Sequence, residues 1–323
     1  MATHEIKLEQ RTVHGHFSRE LDPILTIDSG DTVSFPTLDC GWGLGPPAPE
    51  AGERWQLQPR DPERDQGHAL VGPVEVRAAR PGSVLEVRLD EIRPGTWGWT
   101  WAAGWPSVLN DRLRLPDLDG HLLEWTVDER LGVARDQTGR EVALRPFLGV
   151  LRMPPAEHGA HSTIPPRPTG GNIDCKELVA GSTLFLPIAV EGALFSAGDG
   201  HAAQGDGEVG QMAIESPFER VQLTLTVRDD LSLTTPVAKT SAAWLTFGFH
   251  ESLDEAMVQA LNAMLDLMER ELDVDRKEAL ALASVVVDLR VTQVVNRVAG
   301  IHARLAFDVL DGLRHSGSSR AAE

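Results

Sequence analysis

Arg220-Val221-Gln222-Leu223-Thr224-Leu225-Thr226-Val227 alternates apolar and polar residues along its length. That period of two belongs to a strand with one buried face. Ser83-Val84-Leu85-Glu86-Val87-Arg88-Leu89 follows the same rule directly after the turn residues Pro81-Gly82. Around these two runs lie shorter ones of the same kind. Ile24–Ile27 and Thr32–Phe35 flank Asp28-Ser29-Gly30-Asp31, and His121–Val127 and Glu141–Leu144 lie either side of the turn Gln137-Thr138-Gly139-Arg140. Trp97, Trp99 and Trp101 have spacing two and share one strand face, as a packed aromatic cluster or the wall of a pocket.

The texture changes near residue 250. Ser252-Leu253-Asp254-Glu255 has the form of a capping box, and apolar residues then recur at Met257, Ala260, Leu261, Met264, Leu265, Met268 and Leu272. Asp275 to Glu278 repeats the cap and opens a second helix to about Val287, after which Val291–Val298 and Ile301–Phe307 read as strands. The expected architecture is mainly β: a jelly-roll or sandwich-like body over 1–230 that carries the functional site, a smaller α+β part over 231–313, and a frayed tail over 314–323.

The 323 residues include 30 Lys plus Arg against 48 Asp plus Glu, a net charge of −18. This argues against nucleic acid and anionic membrane surfaces as partners. Two cysteines exclude a disulfide framework, and the polar start and lack of long apolar runs predict a soluble, cytoplasmic protein.

The acid excess has a local focus. From Leu194 to Glu215 there are four carboxylates, one histidine and no Lys or Arg, set among Gly198, Gly200, Gly205 and Gly207. Asp199 and His201 are two apart, as are Asp206 and Glu208, and Asn172 and Asp174, so in extended chain each pair points one way. The segment reads either as an acidic, Gly-rich solvent loop or as a cation site. Flanking runs rich in Leu, Phe and Ile argue against a purely solvated loop, and buried unpaired carboxylates would be costly without a cation. A mixed histidine and carboxylate set suits zinc, manganese or iron, and an all-oxygen subset suits calcium or magnesium. Cys175-Lys176-Glu177 contains the residue types of a nitrilase-like triad, but consecutive residues in a strand alternate faces and do not converge. There is no G-x-S-x-G elbow, dinucleotide fingerprint or phosphate loop.

The run Gly170-Gly171-Asn172-Ile173-Asp174-Cys175-Lys176-Glu177-Leu178, continuing through Gly181–Pro187, Gly192–Phe195 and Gly198–Glu208, resembles the acetamidase/formamidase family. Pro23–Asp39, Leu70–Val74, Pro81–Val87, Pro146–Val150 and Val291–Asn296 are similar to it as well. The resemblance implies hydrolysis of a short linear carboxamide of acetamide or formamide type to a carboxylate and ammonia. It also implies a β-rich body, a divalent metal and a homodimer.

Joined to the residue reading, the expectation is a divalent metal, zinc first with calcium or manganese as alternatives, held by His201, Asp174, Asp199 and Asp39. Glu208 is the expected general base, Asn172 or Gln204 the oxyanion donor, and Phe195 and Phe147 the apolar pocket. The competing expectation is a cation-dependent β-sandwich binding module without turnover.

Overall fold

A computed structural model describes residues 1–47, 55–115 and 119–317. Two of its sheets pack face to face. The larger has nine strands in the order Thr3–Glu5, Asp31–Phe35, Phe218–Arg228, Val84–Pro94, Thr183–Pro187, Val237–Lys239, Ala243–His250, Ala299–Ala306 and Val287–Gln293. The two alternating runs that announce the fold pair with each other at its centre, Leu225 opposite Val87 and Leu223 opposite Leu89. The second sheet has Gly170–Asn172, Phe147–Arg152, Phe195–His201, Leu70–Val76 and Val13–His14 side by side, with Leu25–Ile27 paired parallel to Leu70–Val76. Val33, Leu85, Val87, Leu184, Leu223 and Phe247 from the first sheet meet Val71, Val74, Leu148 and Phe195 from the second in one core. This is the sandwich expected of alternating strands.

The nine-stranded sheet does not stop at residue 230. Thr183–Pro187 pairs with Val237–Lys239, so the C-terminal strands extend the same sheet. Period two then lets both faces bury apolar groups: Leu184 and Leu186 enter the sandwich core, while Phe185 between them joins a second core under the helices. Helices Leu253–Leu272 and Arg276–Val286 cover that face through Ala256, Ala260, Met264, Met268, Ala279 and Ala283. A Cβ on Gly248 would lie 2.0 Å from Ala256 O, so glycine is what allows the first helix to sit directly on its strand. Thr246 Oγ1 also donates to Ala260 O at 2.7 Å.

Asp275 caps the second helix, accepting from the amides of Lys277 and Glu278. Ser252 occupies the N-cap position of the first helix, but its side chain makes no capping bond, and its amide donates to His250 Nδ1 instead. Phe307–Gly317 is a helix where the composition predicts a strand end and, from 314, a frayed tail; residues 318–323 of that tail lie outside the described residues. No described helix is long and apolar enough to cross a membrane.

A four-stranded antiparallel sheet, Glu141–Ala143, Val133–Asp136, His121–Asp128 and Trp97–Ala102, stands beside the sandwich. It is stitched on where Trp99 and Glu215 exchange both backbone hydrogen bonds, at 2.9 and 2.8 Å. Trp97, Trp99 and Trp101 do share one strand, with Trp99 turned into the interior.

Candidate active site

The site forms at the end of the strand Phe195–His201, where Phe147 pairs with His201 and Leu148 with Gly200. Asp199 and His201 project from this strand, and Asp174 follows Gly170–Asn172. Glu208 comes from the next loop and Glu215 from the segment bridged to both His201 and Trp99. All five side chains are buried, each residue at most 7% exposed. One ligand atom from each of Asp174, His201 and Glu208 lies within 4.8 Å of the others, and Cys40, Asp199 and Glu215 form a second such triple. His201 joins the two: its Nδ1 is 3.8 Å from Asp174 Oδ1, and its Nε2 lies 3.5 Å from Asp199 Oδ1 and 3.4 Å from Glu215 Oε2.

Gly149 makes this convergence possible. A Cβ there would lie 2.5 Å from Asp199 Oδ2, 2.6 Å from Asp174 Oδ1 and 3.0 Å from His201 Cε1. The backbone bends to the same end, for Asp174, Asp199 and Glu208 have φ of 52°, 61° and 47°. Left-handed conformations cost non-glycine residues free energy and gather at functional sites.

The electrostatics are unbalanced. Burial pushes the Asp174 carboxyl up to about 7; His201 pulls it back, and the charge of Asp199 adds to the rise. Burial, then the charge of Asp174, pushes Glu208 well above the usual carboxylate range. Burial works against the His201 imidazolium, but Glu215 and Asp199 outweigh it and raise the ring's pKa well above its ordinary value. Burial also opposes charge on Asp199, where the His68 and His201 imidazoles prevail and hold the carboxyl low. Asn172 Oδ1, Asp174 Oδ1, Asp199 Oδ1, His201 Nδ1, Gln204 Oε1, Glu208 Oε2 and Glu215 Oε2 are buried without a hydrogen-bond partner, seven of the thirteen such atoms among the described residues. Buried polar atoms normally have a partner in protein, water or an ion, and so many orphans in one place mark a site for a polar or ionic guest. The donor set, one imidazole nitrogen among carboxylate oxygens, fits a divalent cation of the zinc or manganese type better than an all-oxygen calcium shell.

Of the sequence-predicted residues, His201, Asp174, Asp199 and Glu208 converge. Asp39 is buried beside them but already accepts from Trp99 Nε1 at 2.9 Å and from the amides of Gly41 and Gly43 at 3.0 and 2.8 Å. Gln204 Nε2 donates to Asp174 O at 2.9 Å, which commits one of its two N–H groups to shaping the site. Asn172 is buried on the strand next to Gly149, two residues before Asp174. Phe147 meets the His201 ring edge to face at 5.1 Å and supports it. Phe195 does not belong here: it packs in the sandwich core, six residues and about 20 Å of strand from His201. Asp206 has a basic partner, Lys176 Nζ at 3.1 Å. Cys175 is a core residue whose thiol burial pushes up to about 12, so it is no nucleophile at neutral pH. His14 is likewise structural, bonded to Ser196 Oγ and His16 O.

Sequence reasoning passed over Glu215 as a site member, and also Cys40, His68, Gly149 and Asn296. Asn296 Nδ2 donates to Asp174 Oδ2 across 122 positions of sequence. Its turn is held by Gln293 Oε1, which accepts from the amides of Val295 and Asn296. Gly207 is bridged to Gln293, so the C-terminal strand also anchors the Glu208 loop. The site therefore draws on residues beyond 230.

Together these features define a β-sandwich protein with a buried histidine–carboxylate centre at one sheet end. Residues 124–307 match the model of the acetamidase/formamidase family, and the chain belongs to that family. It is 30% identical over 260 residues to a putative formamidase of Schizosaccharomyces pombe, covering 62% of this chain and 60% of that protein. The chain's matches span about half to three fifths of the curated relatives' lengths. Its fold matches the crystal structure of an acetamidase from Bacillus halodurans with TM-score 0.81 and 29% identity, covering 95% of this chain and 99% of that one. It also matches a predicted acetamidase/formamidase from Thermoanaerobacter tengcongensis with TM-score 0.82 and 26% identity, covering 96% and 98%.

Proposed function

We propose that this protein hydrolyses the C–N bond of a linear primary carboxamide, acetamide and formamide being the simplest cases, to a carboxylate and ammonia. The observation that carries the reading is the buried convergence of Asp174, His201 and Glu208, with orphaned ligand atoms, in a member of this family. Asp174, His201 and Glu208 are the residues proposed to hold a divalent metal, zinc first, with Asp199 and Glu215 behind the imidazole. Such an ion supplies Lewis acidity and lowers the pKa of water toward neutrality.

The protein's own groups account for the remaining needs. Glu208 and Asp174 face one another in a buried polar cluster, where burial and repulsion from neighbouring carboxylates raise both carboxyls in the metal-free protein; a bound cation would offset that repulsion and favour the carboxylates. Glu208 is the candidate general base: as the carboxylate, through the oxygen not engaged on the cation, it would take a proton from attacking water and return it to the departing nitrogen. Asp199 and Glu215 fix the orientation of the His201 ring, which Phe147 supports from its edge. Gln204, with one N–H bonded to Asp174 O, has Oε1 left as an acceptor for a substrate N–H. The Asn172 side chain supplies the oxyanion contact in this reading.

The test is metal analysis of the purified protein together with ammonia release from formamide and acetamide before and after exhaustive chelation. The expected result is stoichiometric metal and amide-dependent ammonia that falls on chelation and returns with zinc. Absence of ammonia from every amide with metal loaded overturns the amidase reading; full activity in metal-free protein overturns the metal assignment alone.

A further inference from the structure

We infer that the acyl part of the substrate is an extended apolar group, of arylalkyl or medium-chain type, lying in a groove between the four-stranded sheet and the site loops. This deepens the amidase reading and rests on it. The groove holds about 390 Å³. Acetamide, with four heavy atoms, displaces the equivalent of two to three waters, roughly 60–90 Å³ at about 30 Å³ per water. The groove's size is that of a site for a larger ligand.

Its place in the chain ties it to the chemistry. Ala203, Gln204 and Gly205 of its wall lie between His201 and Glu208, and Met212, Ala213 and Ile214 between Glu208 and Glu215. Gln204 donates to Asp174 O and the Ala213 amide donates to Glu215 Oε1 at 3.0 Å, so the wall is bonded directly to the site. The opposite wall is Thr100, Trp125, Val142 and Ala143.

The lining is apolar by construction. Trp125 Nε1 donates to Thr100 Oγ1 at 3.1 Å, and that hydroxyl donates to Ala213 O at 2.6 Å, so the polar atoms of this wall bond each other and leave the indole ring as surface. Among the lining side chains, only Gln204 Oε1 is buried without a partner. Its assignment is fixed, because the other amide atom faces a carbonyl oxygen and must be the nitrogen. The groove runs from Ile214, 5% exposed and next in the chain to Glu215, to Val142, 38% exposed, and in this inference the acyl chain extends toward Val142.

The experiment measures kcat/KM for acetamide, butyramide, hexanamide and 3-phenylpropionamide with zinc-loaded protein, and calorimetric binding of 3-phenylpropionamide and acetamide to metal-free protein. The expected result is a rise along the series, with 3-phenylpropionamide at least 100-fold above acetamide. Trp125→Ala should cut that ratio at least tenfold, and Val142→Glu, at the exposed mouth where folding is not at risk, should cut it also. Turnover of acetamide equal to or better than 3-phenylpropionamide overturns the inference and leaves the amidase reading intact. No turnover of any member removes the amidase reading. Calorimetry then decides the groove: saturable 3-phenylpropionamide binding that Trp125→Ala abolishes supports it, and no preference over acetamide overturns it.

Discussion

Two groups of buried acid lie three residues apart in the chain and are built on opposite principles. Glu177, 6% exposed, faces Arg290 Nη1 at 2.9 Å, His302 Nε2 at 3.4 Å and Arg304 Nε at 3.6 Å. His302 is in turn fixed by Thr292 Oγ1 at 2.8 Å. Burial works against the Glu177 charge, but His302, Arg290 and Arg304 prevail and hold the carboxyl below its ordinary range. Around Asp174 the ratio is reversed, with Asp199, Glu208 and Glu215 sharing His201 and, more remotely, His68. The first group fastens the loop after Asp174 to the C-terminal strands. The second leaves charge without a protein partner, which is what a site for a cation or a reacting group requires. Burial alone therefore does not mark a functional acid; the absence of compensation does.

Four experiments sharpen or break this contrast. The largest effect is expected from His201→Ala, which removes the ring that lies against acids of both triples. Ammonia release from the best amide should fall about 10³-fold, about 4 kcal/mol of barrier, and retention of half the wild-type rate would remove His201 from the chemistry. Next, a divalent cation should stabilise the protein through the uncompensated group: zinc at about 100 times its Kd adds about 2.7 kcal/mol to the unfolding free energy. In Asp174→Asn most of that gain should vanish in thermal melts, whereas in Glu177→Gln it should persist; an equal loss in both would erase the distinction.

Third, Glu177→Gln should destabilise metal-free protein by about 2 kcal/mol in denaturant titration, since it strands partly exposed cations that a carboxylate now satisfies. Asp174→Asn should cost less or stabilise, because it relieves acid crowding. The smallest effect is a difference in pH slope. Asp174 binds its proton more tightly folded than unfolded, so its contribution is present below about pH 4 and is lost as pH rises to about 7. Glu177, held low in the fold, contributes above its ordinary pKa of 4.5 and loses that contribution as pH falls below it. Unfolding of metal-free wild type and the two variants across pH 3.5–7.5 should show slopes of opposite sign removed by the two substitutions.

Much of this was legible before any coordinates. Period two in Ser83–Leu89 and Arg220–Val227 identified strands that pair at the sheet centre, and Asp275 identified a real cap, because these signals are local. The glycine-spaced acids pointed to one place because short spacings in extended chain fix direction. What stayed hidden depends on distance in sequence. Nothing near Asn296 or Gly149 announces a neighbour at Asp174, and Glu215 enters the site through a bridge to Trp99 that only the assembled sheets create. Phe195 misled for the same reason: it shares a strand with His201 but sits at the other end. Ser252 shows that a local signal can mark where a helix starts without making the bond it suggests: the hydroxyl caps no amide, while its own amide donates to His250 Nδ1.

The clasp of Gly207 and Asp174 by Gln293 and Asn296 bears on how the protein is made. Chains emerge N-terminus first, at about 5–20 residues per second. The side chains of Asp174, His201 and Glu208 leave the ribosome well before the strand that pins them. For several seconds the nascent sandwich carries its acid-rich loops unclasped, and the centre can acquire its final geometry only after residue 296 has been synthesised and docked.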